Sequence, residues 1–318
     1  MLRSLGKTGL QLEPLVLGGN VFGWTIDETR SFELLDAYVD AGFSAIDTAD
    51  SYSSWVPGHH GGESEAVIGN WLRVNPGKRQ KVLLCTKVGS DMGAGRKGLS
   101  ARWIGQAVED SLRRLQTEVI DLYQSHWPDP ETPIDETLGA YEKLLRAGKV
   151  RAIGASNLDA AQLRHALDVA RERRLPAYAT LQPQYNLYDR QGFEGELRDV
   201  CLKEGLGVIT YFSLASGFLS GKYRSKDDFS KSARGAGMSK YLNTRGERIL
   251  QALDAVAARQ GATPAEVALS WVIAQPGVTA PIASATDRLQ LASLIKATRL
   301  ELPEQEMGVL NSASAPAA

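Results

Sequence analysis

Short runs of β-branched and apolar residues recur along the chain, and each is followed by a longer stretch with apolar residues at helical spacing. The pattern predicts strands at 15–18, 43–48, 81–88, 119–126, 150–156, 178–183, 207–213 and 279–284. It predicts helices at 29–41, 64–74, 100–115, 134–147, 159–174, 195–204 and 287–298. Asp159 gives the fifth of these helices a start signal and basic residues close it. A long insertion, 215–275, follows the seventh strand and carries two more helical patterns, 247–259 and 264–275, the second opening with Thr263 and Pro264. Strict alternation means a parallel sheet, and eight strands are the closure number of the (β/α)8 or TIM barrel, an α/β fold. The rival, an open doubly wound sheet, normally carries a G-x-G-x-x-G loop after an early strand. The stretch LGGNVFG (17–23) has glycines without that spacing. Residues 1–14 read as a β-hairpin turning at Gly6 to Gly9, placed to plug one end of the barrel, and the Ala/Ser tail 312–318 reads as frayed and disordered.

No linker divides the 318 residues, so one domain over 1–318 is expected. Hydrophobic residues make up 43% and charged residues 23%, with a net charge of −1, which offers nucleic acid no basic face. Four His and two Cys, widely scattered, do not form a zinc framework, and the adjacent His59 and His60 read as a polar loop; no metal is expected. With no apolar signal core at the N-terminus and no membrane-length apolar run, the expected location is cytoplasmic, without membrane partners.

In such a barrel the chemistry sits at the C-terminal ends of the strands. The second strand carries Asp47 near its end and runs on to Tyr52, the third carries Lys87 near its end, and the fourth ends at His126. Alone, each has an ordinary reading: a turn cap, a rim aromatic, a solvated lysine, a core histidine. Together they place an acid, a phenol, an amine and an imidazole on one rim. Carbonyl reduction needs such a set. Negative charge builds on oxygen as hydride reaches carbon, and a proton must meet it. A neighbouring ammonium favours the phenolate and lowers the phenol's pKa, a carboxylate keeps the ammonium charged, and an imidazole can donate to the developing oxyanion.

The motifs IDTADSY (46–52), GGESEAVIGNWL (61–72), LCTKVG (84–89), DLYQSHWPD (121–129), GKVRAIGASN (148–157), LQPQYNL (181–187) and ITYFSLASGFLSGKY (209–223) stand in order, and with them the chain resembles the aldo-keto reductase superfamily almost from end to end. GGNVFGW and ARGAGMSKYLNTRG resemble the bacterial branch akin to potassium-channel β subunits. The resemblance implies a catalytic set of Asp47, Tyr52, Lys87 and His126, with Tyr52 as proton donor. It implies NADP(H) as cofactor: the nicotinamide carboxamide on Ser156, Asn157 and Gln182, its ring on Tyr211, and the pyrophosphate under Ser213, Leu214, Gly217, Ser220 and Lys222. The adenosine and its 2′-phosphate then fall to Ser284, Thr286, Arg288 and Gln290, with Arg234 in reach. The chain departs from many relatives at Ser284 and at Ser293-Leu294. Trp24, Trp55 and Trp127, with Phe22 nearby, are expected to line a pocket for a small apolar or ring-bearing carbonyl substrate. The segment 213–235, rich in Gly, Ser, Lys and Asp with few apolar anchors, is expected to be a mobile cover. The implied function is NADPH-dependent, reversible reduction of aldehydes and ketones. The alternative is a nicotinamide-binding regulatory subunit of the channel-β type, which the absence of a long segment before the hairpin disfavours.

Overall fold

The computed structural model describes residues 1–232 and 235–316. A two-stranded antiparallel hairpin, β1 (Arg3–Ser4) and β2 (Gln11–Leu12), precedes eight parallel strands: β3 (Val16–Gly18), β4 (Ala45–Asp47), β5 (Leu83–Val88), β6 (Ile120–Ser125), β7 (Val150–Ser156), β8 (Thr180–Gln182), β9 (Gly207–Thr210) and β10 (Ala280–Ala283). They pair in chain order, and β10 closes the barrel against both β3 and β9. The register aligns the strand ends that matter: Gly18 faces Asp47, Asp47 faces Cys85, Val88 faces Ser125, and Ser156 faces Gln182.

The barrel interior is small and apolar at its lower end. Leu5, Leu10 and Leu12 of the hairpin pack there with Val16, Ala45, Cys85, Leu122, Ala152 and Ile209 from the strands. The hairpin is therefore the plug that its sequence suggested. Gly6 makes the seat possible: at φ 55°, any Cβ would lie 2.2 Å from the backbone nitrogen of Gly207.

Helices α1 (Glu28–Asp40), α2 (Glu63–Val74), α3 (Ala101–Leu115), α4 (Ile134–Arg146), α5 (Ala160–Arg173), α6 (Glu196–Glu204), α7 (Thr244–Gln260), α8 (Pro264–Ile273), α9 (Arg288–Ala297) and α10 (Glu304–Ser314) form the outer layer. In α3, Ile104, Ala107, Val108, Ser111, Leu112 and Leu115 recur at helical spacing and are all buried, while the Ser100 side chain caps the first turn. Asp159 with Gln162, and Thr263 with Glu266, close reciprocal capping boxes at the starts of α5 and α8. No helix among the described residues is long and apolar enough to cross a membrane.

Three sequence expectations change. The seventh strand ends at Thr210 instead of 213, because the backbone turns into the left-handed region at Phe212. The segment after it forms three short 3-10 turns, Ala215–Ser220, Lys226–Lys231 and Gly235–Tyr241. It is better anchored than its polar composition suggested: Ala215, Phe218, Leu219 and Tyr223 are buried, and Phe218 stacks on Tyr241 at 5.0 Å. Finally, residues 312–314 do not fray but end α10. Leu310 and Ala313 are buried there, and guanidinium donors satisfy the last carbonyls: Arg190 donates to Asn311 O at 3.2 Å, Arg245 to Ser314 O at 2.9 Å and Arg248 to Ala313 O at 2.8 Å.

Candidate active site

Asp47 ends β4, and the loop behind it brings Tyr52 back over the strand ends. Lys87 comes from β5, and His126 directly follows β6. The structure gathers all four. Lys87 Nζ donates to Asp47 Oδ2 at 2.7 Å, to Thr48 O at 2.8 Å and to the Tyr52 hydroxyl at 2.8 Å. The Tyr52 hydroxyl donates in turn to Asp47 Oδ2 at 3.2 Å. Gln182 Nε2 donates to the other carboxylate oxygen at 2.9 Å, so Asp47 is held on both sides.

Burial decides the electrostatics. Asp47 and Lys87 are 1% and 0% exposed, so their ion pair sits out of water. Burial alone would pull the Lys87 ammonium down, but Asp47 and then Tyr52 reverse this and hold it above its ordinary value. Burial also pushes the Tyr52 phenol up, to about 12, against the opposing pull of Lys87. The ammonium thus lowers the phenol, as the sequence predicts, but burial outweighs it. One side of Tyr52 opens on the cleft, yet its hydroxyl lies among buried groups.

His126 Nδ1 meets Ser90 Oγ at 2.9 Å and Ser51 Oγ at 3.4 Å. Burial, and then the Lys87 charge, hold its pKa well below the ordinary 6.5, so the ring is neutral. Its backbone is pinned as well: its N–H donates to Val88 O at 2.8 Å and its carbonyl accepts from Asn157 Nδ2 at 2.8 Å.

Tyr52 and His126 open on a cleft of about 1080 Å³ at the C-terminal rim. Ser156, Asn157, Gln182, Tyr211, Ser213, Leu214, Gly217, Ser220, Lys222, Ser284, Thr286 and Gln290 all line it. The residues assigned to the carboxamide are bonded to each other. Ser156 Oγ donates to Gln182 O at 2.7 Å, Asn157 Nδ2 to Ser156 Oγ at 3.1 Å, and the Tyr211 hydroxyl to Asn157 Oδ1 at 2.7 Å. Asn157 adopts a left-handed backbone, φ 59°, which asparagine tolerates better than most residues. At the far end Ser284 Oγ donates to Asn20 Oδ1 at 2.5 Å, and Thr286 donates to Gln290 Oε1 through its backbone N–H at 3.0 Å and its hydroxyl at 3.1 Å.

Some residues stand elsewhere than expected. Arg288 is exposed at the start of α9, beside the cleft wall that Leu289 and Gln290 form. Arg234 lies outside the described residues. Trp55 and Trp127 line the cleft, but Trp24 stands behind Trp55, edge to face at 5.7 Å, with its ring N–H on Asn20 O at 2.5 Å. Phe22 is fully buried in the core. The departures Ser293 and Leu294 line the cleft too. Sequence reasoning missed Ser51 and Ser90, which hold His126, and also Asn20, Lys231 and Phe212 on the cleft wall. Ser90, three residues past Lys87 on the same rim, was the most findable of these.

The chain is similar to known proteins along almost its whole length. The profile of the aldo/keto reductase family matches residues 14–315. An uncharacterized oxidoreductase, YrpG, of Bacillus subtilis is 36% identical over 96% of this chain and 94% of its own length. The aldo-keto reductase YhdN of the same organism is 34% identical over 97% and 92%. A probable voltage-gated potassium channel subunit beta of rice, Oryza sativa subsp. japonica, is 31% identical over 93% and 90%. A closed eight-stranded barrel with these residues on its rim, matched almost throughout by one family, means that the chain belongs to the aldo/keto reductase family.

Proposed function

We propose that this protein reduces aldehyde and ketone carbonyls to alcohols, reversibly, with NADP(H) as cofactor. The observation that carries the reading is the buried Asp47–Lys87–Tyr52 chain opening beside a neutral His126. The cleft suits the cofactor by the chemistry of its walls. After the internal bonds are counted, Gln182 Oε1 and the remaining lone pairs of Asn157 Oδ1 and Ser156 Oγ are acceptors, which matches a carboxamide NH2. Tyr211 offers an aromatic floor, and burial, then the Asp189 charge, push its phenol up to about 12, so it remains a neutral donor to Asn157. Ser213, Leu214, Gly217, Ser220 and Lys222 would cover the pyrophosphate, and Ser284, Thr286, Gln290 and the neighbouring Arg288 would take the adenosine end. The volume exceeds what one small ligand fills, which leaves room for a carbonyl between Trp55 and Trp127.

When bound, the nicotinamide supplies or accepts the hydride at the carbonyl carbon. The protein's own groups then handle the oxygen. The Tyr52 hydroxyl gives its proton to that oxygen, and the Lys87 ammonium, 2.8 Å away, stabilises the phenolate left behind. Asp47 keeps Lys87 charged and aimed. With the Ser90 hydroxyl donating to Nδ1, the His126 ring proton sits on Nε2, which donates to the carbonyl oxygen and orients it.

A steady-state screen of aldehydes, ketones and sugars, following NADPH absorbance, tests the reading. Turnover on at least one neutral aromatic aldehyde is expected. Tight NADPH binding without turnover on any of them would favour a regulatory role, as the rice channel subunit's name suggests for that relative.

A further inference from the structure

We propose that Asp50 is a positioning residue for the reaction, its carboxyl group bonded through ordered water to the Trp103 indole in a small polar pocket behind the Ser51–Tyr52 turn. The kinetic part of this inference rests on the carbonyl reduction proposed above. Asp50 is 1% exposed, and neither of its carboxyl oxygens has a hydrogen-bond partner among the described residues. The Ser51 N–H, next in the chain, lies close without the alignment of a bond. Trp103 Nε1, on α3, is a buried donor and is equally unpartnered. Leaving such groups unbonded is costly, so buried polar atoms find a partner in protein or in ordered water. Both residues border one pocket of about 30 Å³ between the turn and α3, with Arg96, Asp110 and Arg114 around it. That space suits roughly one or two water molecules and nothing larger. The carboxyl group and the indole N–H supply an acceptor and a donor for them. No cluster of three metal-ligating side chains forms among the described residues, and the Arg96 and Arg114 guanidinium groups oppose a cation there.

The pocket lies behind the reacting groups: Ser51 and Tyr52 line the cleft, and Asp50 does not. Backbone bonds hold this turn only loosely. The Asp50 N–H donates to Lys87 O, the Tyr52 N–H to Ala49 O and the Gly62 N–H to Tyr52 O, each at 3.2 Å, the long end of the range. The same turn carries two groups whose placement matters, Ser51 Oγ at 3.4 Å from His126 Nδ1 and the Tyr52 hydroxyl at 2.8 Å from Lys87 Nζ. Fastening residue 50 to α3 therefore steadies both. Burial, then the Glu65 charge, raise the Asp50 pKa well above the ordinary carboxylate range, against the pull of Arg114 and Lys87. The neutral carboxyl group donates as well as accepts, and asparagine is its close mimic.

Crystal structures and kinetics of the parent protein, Asp50→Leu and Asp50→Asn test this. In the parent, ordered water is expected within hydrogen-bond distance of both the Asp50 carboxyl group and Trp103 Nε1. A dry pocket, or a direct bond from Asp50 to another protein group, overturns the inference. Leucine is close in size and cannot bond water. It is expected to lower kcat about tenfold to a hundredfold, with KM and NADPH affinity within about twofold of the parent. Its crystal structure is expected to show the Tyr52–Lys87 bond lengthened. Asparagine is expected to recover most of the lost rate. A kcat near the parent's in the leucine variant, or an asparagine variant no faster than leucine, overturns the positioning role. If the leucine variant does not fold, Trp103→Phe removes the donor on the other side of the water and keeps a ring. It is expected to lower kcat by about threefold to tenfold, and an unchanged kcat overturns the inference. If the parent turns over no carbonyl, the reaction reading fails alone. The pocket water and the Tyr52–Lys87 distance in the leucine variant then decide this one, and an unchanged distance overturns it.

Discussion

The two ends of the cleft are built on opposite principles. At the reaction end, Asp47, Lys87 and Gln182 are buried and bonded to one another, with Tyr52 closing the chain. At the other end the cations stand in solvent. Lys231 pairs with Asp228 at 2.7 Å, but Lys222 and Arg288 have no ion-pair partner among the described residues. The first end is organised before any ligand arrives and keeps its geometry at the cost of burying charge. At the second, a bound anion would supply the counter-charge that Lys222 and Arg288 lack among the described residues. The difference implies that damage at the reaction end costs rate and fold, whereas damage at the cation end costs affinity alone.

The comparison breaks first if Tyr52 can be spared. Tyr52→Phe removes the proton donor and is expected to lower turnover by about 10²–10⁴-fold, with NADPH affinity unchanged in a fluorescence titration. With the phenol pushed up to about 12, the donor of the parent protein stays protonated through about pH 10, the ordinary tyrosine value. Reduction by the parent protein should therefore show no tyrosine-dependent fall below that pH. A near-normal rate in the variant would remove Tyr52 from the mechanism.

The fold should suffer next. Lys87→Met leaves Asp47 buried without its ammonium, and breaking a fully buried pair costs about 3–5 kcal/mol. A lowered denaturation midpoint checks this. Adding Asp47→Asn should restore part of the loss, and strict additivity of the two losses would mean that the pair is not coupled.

At the cation end the expected effects are smaller and confined to binding. Lys222→Ala should weaken NADPH and NADH alike, by roughly tenfold, through the shared pyrophosphate. Arg288→Ala should weaken NADPH more than NADH, through the 2′-phosphate. Equal losses for both cofactors in the Arg288 variant would remove it from the 2′-phosphate site. Neither variant should shift the thermal midpoint without cofactor; a shift would show that the contrast between the ends is overdrawn.

The smallest effect is a slope. The pKa of His126 is depressed in the folded state, so below about 6.5 the unfolded chain binds the extra proton. Its contribution to stability is complete above that value and is lost as pH falls toward the folded-state pKa. His126→Gln should therefore flatten the acid side of the stability curve below about pH 6.5, measured by denaturant titration at a series of pH values. An unchanged slope would mean that the imidazole is not held neutral.

The same contrast governs what could be read from the sequence. The reaction end was legible because its four groups sit at or just beyond the ends of three neighbouring strands, and the barrel's register brings such ends together. Its support was harder to see: Ser51 and Ser90 reach His126 from two different loops, and only the position of Ser90 on the same rim as Lys87 hints at it. The net pKa of Tyr52 was illegible for a related reason, since burial is a property of the packed site. Around the cation end, polar composition suggested a loose segment, and what anchors it is tertiary. Phe218 stacks on Tyr241 and Tyr223 is buried, contacts that no local spacing announces. The helix α10 was hidden by its small residues, which form a stable last turn because Arg190, Arg245 and Arg248, distant in sequence, donate to its carbonyls. Trp24 and Trp55 looked equivalent in the sequence, and only the structure shows that one buttresses the other.

The proposed chemistry is transfer of a hydride from a nicotinamide to a carbonyl carbon, with the proton from Tyr52. Supplying NADPH that carries deuterium at the transferred position of its nicotinamide C4, with a turned-over aldehyde in ordinary water, tests it most directly. Mass spectrometry of the alcohol is expected to find one deuterium on the carbinol carbon and none on the exchangeable hydroxyl. An alcohol formed without that deuterium would contradict the account.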